Sequence, residues 1–172
     1  LRRTLTLTAL LAELQVPMVL ALNMHDEAAA RGVTVDIAKL AEALGIPVLA
    51  TVATGGDGVS QLSREITGAR VPEPLLHYDA EFEVEIATLT AAVVSDAAHP
   101  HLAARGLAIL FLGDYTVVED WLRTRVGDAY GQLENLRKIV VDRSDTPLPA
   151  QLARERTQAA DALAGTVISR TL

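Results

Sequence analysis

The spacing of apolar residues in positions 1–70 alternates between two patterns, which predict helices and buried strands. Positions 1–14 place leucines at close to helical spacing, and the Val16-Pro17 pair then interrupts this pattern. Positions 18–22 are uniformly apolar, which is typical of a parallel strand buried on both faces. The first two predicted elements are therefore an amphipathic helix and a buried strand.

The same alternation occurs once more along the chain. Asp36 suits the start of a helix with one apolar face, and Gly45 suits its end. Positions 46–53 predict a second strand, and Val59 to Thr67 predict a helix with Val59, Leu62 and Ile66 facing inward. Because a strand, a helix and a strand in this order form a right-handed unit, the two strands are predicted to be parallel.

The pattern changes after positions 68–79, which hold two prolines and a glycine. No further strand is predicted beyond them, and five segments have the pattern of helices. These are Glu81 to Ala98, Pro100 to Leu112, Thr116 to Thr124, Tyr130 to Asp142 and Leu148 to Arg170. The predicted fold class is α/β followed by an all-α helical bundle. We expect residues 1–70 to form the α/β part, 71–78 a linker and 79–172 the helical domain.

Composition excludes several classes of function. The formal net charge is −7, whereas a nucleic-acid partner requires clustered Lys and Arg, so no nucleic acid is expected to bind. The chain has no cysteine, which excludes disulfides, thiolate zinc sites and cysteine nucleophiles. No apolar run approaches the roughly 20 residues of a membrane-spanning helix. Leu1 stands inside a predicted helix in place of an initiating Met, so we expect a fragment of a longer protein.

Polar residues follow each of the two predicted strands. Asn23 and Asp26 come after the first strand, and Val52-Ala53-Thr54 ends the second. Ligands on parallel sheets bind beyond the carboxyl ends of the strands, so these residues form the candidate site. A guanine base suits it, because one carboxylate accepts from both N1–H and N2–H₂ and a backbone N–H can donate to O6. Asp26 would contact the base, Asn23 would connect the loops, and His25 is expected to face solvent.

A local structural role for the same residues is the alternative. Asn and Asp are frequent in loops because they form turns and cap helices. If Asn23 and Asp26 only cap, the chain is better interpreted as a non-enzymatic helical interaction or regulatory module with an α/β appendage.

Other polar clusters indicate function less strongly. The stretch "TGGDGVS", positions 54–60, lacks the lysine of a phosphate loop and predicts a tight turn with positive φ. Glu81 and Glu85 share a helical face and could contact a hard cation, but acidic residues are also favoured in the first turns of a helix. His99 and His101 flank a proline, which is typical of a helix boundary. Neither a metal site nor a catalytic residue is predicted.

Residues 1–62 resemble the latter part of the GTP-binding domain of FeoB-type ferrous iron transporters. In that family Asn-Met-x-Asp replaces the usual Asn-Lys-x-Asp guanine motif, and Asn23-Met24-His25-Asp26 matches it. The "LGIPV" stretch and the glycine-rich turn also follow the family pattern. The helical half is similar to the domain that connects the family's GTP-binding domain to its membrane region, above all in positions 107–122.

The resemblance implies a partial parallel sheet of the P-loop GTPase type and a ligand, GTP or GDP. The implied nucleotide-binding residues are Asn23, Met24, Asp26, Val52, Ala53 and Thr54. The resemblance also implies that GTP binding and hydrolysis regulate Fe²⁺ uptake by a membrane domain that follows this chain. The implied location is the cytoplasmic face of the bacterial inner membrane, and whether the chain forms a homo-oligomer stays open.

The chain departs from the family in one respect. Residues 1–22 contain no G-x-x-x-x-G-K-[ST] phosphate loop and no D-x-x-G motif, which in the family precede the part that this chain resembles. Those elements hold the phosphates and Mg²⁺ and position the attacking water. We therefore expect the chain to hold the base-recognising half of the site and to bind nucleotide weakly. GTP hydrolysis and Mg²⁺ binding are expected only with the other half present.

Overall fold

The computed structural model describes residues 1–96 and 102–170, and in this part of the chain it has nine α-helices and four short strands. In chain order they are α1 (Arg2–Glu13), β1 (Leu20–Leu22), α2 (His25–Ala30), β2 (Val33–Val35), α3 (Ile37–Leu44), β3 (Val48–Ala50), α4 (Val59–Glu65), α5 (Ala80–Asp96), α6 (Ala104–Leu112), α7 (Thr116–Val126), α8 (Tyr130–Arg143), α9 (Leu148–Val167) and β4 (Ile168–Arg170). An α/β part followed by helices is therefore confirmed as the fold class.

The first pair of strands is parallel, as predicted. Leu20 of β1 lies opposite Val48 of β3, and the chain between the two strands contains α2, β2 and α3. The carboxylate of Asp36 caps α3 by accepting from the backbone N–H of Lys39 at 3.0 Å. Gly45 ends α3 at a φ of 65°, which is a left-handed conformation that favours glycine.

The second pair of strands was not predicted. β2 and β4 are antiparallel, with Val33 opposite Arg170 and Val35 opposite Ile168. The predicted helix from Leu148 to Arg170 is therefore wrong over its last three residues, because α9 ends at Val167. The β-branched side chains of Val167 and Ile168 favour extended backbone once a partner strand is present. That partner is far away in the sequence, so a local pattern cannot show it.

The helix α4 also differs from its prediction. Val59 is 41% exposed and Ile66, just after the helix, is 60% exposed, so the predicted inward orientation of these two side chains is wrong. Only Leu62, the third predicted inward residue, is half-buried. Two strands of three residues offer little surface for a helix to pack on, which explains the exposure.

Packing divides the chain into two compact units, each with its own core. The first unit comprises Leu1–Ala12, Val16–Leu75 and Thr157–Leu172, and the second comprises Glu13–Gln15 and Leu76–Arg156. The core of the first unit contains Leu5, Leu20, Leu40, Leu44, Ile46, Val48, Ala160, Ala164 and Val167. The predicted division into 1–70, 71–78 and 79–172 assigns residues 157–172 to the helical domain, whereas packing groups them with the first unit. The predicted division stays a proposal.

A buried ion pair lies within the second unit. The Glu13 carboxylate accepts from Arg156 Nε at 2.8 Å, and the two side chains are only 8% and 6% exposed. The Tyr78 hydroxyl donates to the other oxygen of Glu13. Burial, together with the neighbouring Glu13 carboxylate, raises the pKa of the Tyr78 hydroxyl far above its ordinary value. Both oxygens of the buried Glu13 carboxylate accept hydrogen bonds, as a buried charge requires, whereas the buried Nη2 of Arg156 has no partner among the described residues.

The helices of the second unit pack around the larger apolar core. Its most buried side chains include Phe82, Ile86, Leu89, Val93, Leu107, Ile109, Phe111, Leu112, Leu122 and Leu152. A Cβ on Gly106 of α6 would lie 2.8 Å from the Cα of Leu14, so only glycine allows this close approach.

We predict that hydrogen exchange is slower in the described amides between Glu81 and Asp142 than in Met18 to Val52. The parallel sheet has only two strands of three residues, which are too few to be stable without additional packing. Amide exchange followed by NMR measures both regions in one sample. Equal protection, or slower exchange in Met18 to Val52, would contradict this account of their relative stability.

Candidate functional site

Asn23 connects the loops that follow β1 and β3. Its Oδ1 accepts from the backbone N–H of Ala53 at 3.0 Å and from the Thr51 hydroxyl at 3.4 Å. The Thr51 N–H in turn donates to the carbonyl of Leu22, the last residue of β1, at 3.0 Å. The amide of Asn23 therefore holds the end of one strand against the loop after the other.

Asp26 lies in the first turn of α2 with its carboxylate exposed. No residue in 1–96 or 102–170 forms a hydrogen bond or an ion pair with this carboxylate. It lines a cleft of about 260 Å³ together with His25, Ala50, Thr51, Val52 and Asp57. The carboxylate is thus available to accept from a ligand in this cleft.

A helix-capping role does not explain the presence of Asn23 and Asp26. The residue before α2 is Met24, which has a φ of 60° and whose side chain makes no capping hydrogen bond. Among the described residues, neither Asn23 nor Asp26 accepts from an amide of α2 through its side chain. Both side chains are therefore free of the local role that the alternative interpretation gave them.

The loop after β3 is a tight turn, as predicted. The Val52 N–H donates to the Asp57 carbonyl at 3.0 Å, and the Gly55 N–H donates to the Val52 carbonyl at 3.0 Å. Gly58 has a φ of 75°, and a Cβ there would lie 2.3 Å from the carbonyl oxygen of Ala50. Any other residue at position 58 would push this loop away from β3.

Amide donors of this turn without an acceptor among the described residues include those of Thr54, Asp57 and Gly58. The Ala53 N–H is taken by Asn23, whereas the next N–H, that of Thr54, has no acceptor among the described residues. The predicted donor was the Ala53-Thr54 turn as a whole, because the sequence does not distinguish the two amides. It also did not identify Thr51, which is buried to 4% exposure between the strands and holds Asn23.

His25 is half-buried and does not simply face solvent, in contrast to the prediction. It borders the cleft of Asp26 and also a second cleft of about 530 Å³. Asn23, Arg3 and Arg170 line this second cleft as well. His25 therefore separates two clefts of opposite charge, one with carboxylates and one with guanidinium groups.

Three acidic residues at the start of α5 have structural partners, whereas Glu81 has none among the described residues. The carboxylate of Asp79 caps the helix by accepting from the Phe82 N–H at 2.9 Å. Glu83 pairs with both terminal nitrogens of Arg105 at 2.7 and 2.8 Å, and these hydrogen bonds lower the pKa of the Glu83 carboxyl. Glu85 lies 3.5 Å from Arg143.

No group of three or more His, Asp or Glu side chains in residues 1–96 and 102–170 could hold a metal ion. His99 lies outside the described residues, and so does His101. No helix in the described part of the chain is both long enough and apolar enough to cross a membrane.

The fold is that of part of a GTP-binding domain followed by a helical domain. One similar solved structure is the crystal structure of mGMPPNP-bound NFeoB from S. thermophilus, with a TM-score of 0.80 and 26% identity. The matched region covers 100% of this chain and 65% of that chain. Residues 1–66 match the family model of ferrous iron transport protein B. The chain belongs to the FeoB family and corresponds to its N-terminal cytosolic region.

Curated relatives agree with this family. The Fe(2+) transporter FeoB of Staphylococcus aureus (strain COL) is 30% identical over 145 residues, which cover 83% of this chain and 21% of the relative. The Fe(2+) transporter FeoB of Salmonella choleraesuis (strain SC-B67) is 32% identical over 175 residues, which cover 100% of this chain and 22% of the relative. The chain thus spans about a fifth of the length of these relatives.

We predict that Asn23→Ala loosens the loop after β3, because the Ala53 N–H and the Thr51 hydroxyl lose their shared acceptor. Exchange of the Ala53 amide should become about five to ten times faster, as expected from losing a hydrogen bond of ~1 kcal/mol. Asn23→Asp retains an acceptor oxygen and serves as the control. Unchanged exchange of Ala53 in the alanine variant would show that this bond does not hold the loop.

Proposed function

We propose that this chain recognises the guanine base of GTP or GDP with the loops that follow β1 and β3. The observation that carries this proposal is the unpaired Asp26 carboxylate, which lies beside a loop that Asn23 holds against β1. Membership of the FeoB family supports it, and so does the NFeoB relative that is bound to mGMPPNP.

Each part of the site has a distinct task in this proposal. The two oxygens of Asp26 accept from N1–H and N2–H₂ of guanine, which are charge-assisted hydrogen bonds. The N–H of Thr54 donates to O6, because the N–H of Ala53 already donates to Asn23. Asn23 keeps the two loops at the spacing that the base requires. Met24 and Val52 flank these groups on the two loops and would border the base.

The phosphates require groups of another kind. A phosphate loop and its neighbouring motifs hold the phosphates and Mg²⁺ in GTP-binding domains, and residues 1–22 contain no such loop. We therefore propose that these 172 residues supply specificity for the base, and that GTP hydrolysis with Mg²⁺ needs both halves of the site.

The task of the whole transporter is part of the same proposal. Guanine nucleotide binding and hydrolysis would regulate Fe²⁺ uptake at the cytoplasmic face of the bacterial inner membrane. The membrane domain of the same protein would be the partner of this region, and the chain could act within a homo-oligomer. The support for this paragraph is the family alone, whose curated relatives are Fe(2+) transporters.

We predict that Asp26→Asn exchanges guanine preference for xanthine preference. The amide replaces one acceptor oxygen with an NH₂ that faces another donor, so GDP affinity should fall by about 3 kcal/mol, roughly a hundredfold. Xanthine has an oxygen in place of the 2-amino group of guanine, so XDP should bind the variant better than GDP. Ligand-detected NMR titrations with GDP and XDP measure both effects even when binding is weak.

Glu27→Gln is the matched control, because it removes one negative charge from the neighbouring position of α2. It should retain the preference for GDP, and circular dichroism should show the same helix content in both variants. An Asp26→Asn variant that still prefers GDP over XDP would refute the assignment of Asp26 as the base-recognising residue.

A further inference from the structure

The strand β4 pairs with β2, the strand that follows α2 in the chain. Ser169 lies opposite Thr34 in the middle of the β2–β4 pair. The pairing extends by one further bond, in which the Asp36 N–H donates to the Val167 carbonyl at 2.8 Å. The strand β4 is thus connected to β2 along the whole length of β2.

The strand β2 continues directly from α2, the helix that carries Asp26. Only Arg31 and Gly32 separate them, and the Gly32 N–H donates to the carbonyl of Ala29 at 2.9 Å. The helix α2 has six residues, none of them buried, and its N-terminus lacks a side-chain cap. A helix this short is not stable alone in water, so its position depends on the elements at its two ends.

Those two ends are held differently. At the start of α2, the His25 N–H donates to the Thr51 carbonyl at 3.4 Å, which is a long hydrogen bond. At the other end, β2 is fixed by its pairing with β4. Side chains of β4 also border the second cleft next to Asn23 and His25, since Ile168 and Arg170 line it. The strand β4 therefore reaches the surroundings of α2 in two ways, through its pairing with β2 and as part of the lining of the second cleft.

We propose that the β2–β4 pair determines how firmly α2 holds Asp26. The pairing of β4 is then coupled to ligand binding in the cleft that Asp26 lines. Separation of β4 from β2 loosens α2 and weakens guanine nucleotide binding. Because coupling between two events is reciprocal, bound nucleotide in turn strengthens the β2–β4 pair. The part of this proposal that concerns nucleotide rests on the proposed function, whereas the support of α2 by β4 does not.

Ser169→Pro tests the support of α2 in the absence of nucleotide. Proline removes an N–H and is not tolerated in the middle of a strand pair, whereas the control Ser169→Ala leaves the backbone unchanged. The proline variant should increase amide exchange of His25 to Val35 at least about tenfold over the alanine variant. Exchange of Ile86 to Val93, in the core of the second unit, should stay the same. Unchanged exchange of His25 to Val35 would overturn the proposal.

The unsubstituted chain provides a second measurement, which does not depend on the folding of a variant. In low concentrations of denaturant, the amides of β4 and those of α2 and β2 should open with the same free energy and the same denaturant dependence, as one cooperative unit. If β4 opens while α2 and β2 retain their protection, the proposal is wrong.

Nucleotide titration tests the coupling itself. GDP should bind the Ser169→Pro variant at least about fivefold more weakly than the Ser169→Ala variant, and GDP should slow the exchange of the Ser169 amide in the unsubstituted chain. Equal GDP affinity in the two variants would overturn the coupling. If the unsubstituted chain binds no guanine nucleotide, the proposed function fails together with the coupling, and the exchange experiments alone decide whether β4 supports α2.

Discussion

The hydrogen bond from the Ala53 N–H to Asn23 Oδ1 is the interaction on which the site depends. The β1–β3 pair has only three residues in each strand, so the strands alone do little to fix the loops at their ends. Asn23 and Thr51 extend the contact beyond the last paired residues. Without this connection, only the backbone bonds of Thr51 to Leu22 and His25 would hold the loop after β3 near β1 and α2.

The connection also determines which groups remain for a ligand. Because Asn23 takes the Ala53 N–H, the next amide donor in the turn is that of Thr54. Because neither polar side chain caps α2, the Asp26 carboxylate keeps both oxygens unpaired among the described residues. A free amide donor in the turn after β3 and a double acceptor on α2 complement the O6 and N1/N2 groups of guanine. In contrast, Asp79 caps α5, and Glu83 and Glu85 of this helix form ion pairs.

The sequence predicted those features that depend on local chemistry. Asp36 and Gly45 were recognised as the ends of α3 because capping and left-handed glycine leave clear signals in a few neighbouring residues. The parallel pair followed from two apolar runs with a helix between them. The β2–β4 pair could not be predicted, because the two strands are far apart in the sequence and each has only three residues. The exposure of Val59 depends on how much surface β1 and β3 offer, which no local pattern records.

The candidate site was predictable only in part for the same reason. Asn23 and Asp26 were identified by their position after a strand and by a family motif, which are properties of the sequence. The contacts of Asn23 with Thr51 and Ala53 bridge about thirty positions and needed the fold. The choice between the amides of Ala53 and Thr54 likewise depends on a single hydrogen bond in three dimensions.

A structure of this chain with GDP bound, determined by crystallography or NMR, would show directly whether Asp26 contacts the base. We predict that guanine N1 and N2 lie at hydrogen-bond distance, about 2.7–3.2 Å, from the two carboxylate oxygens of Asp26, with O6 at the N–H of Thr54. A base bound elsewhere, or an Asp26 carboxylate turned toward the amides of α2 while GDP is bound, would contradict it.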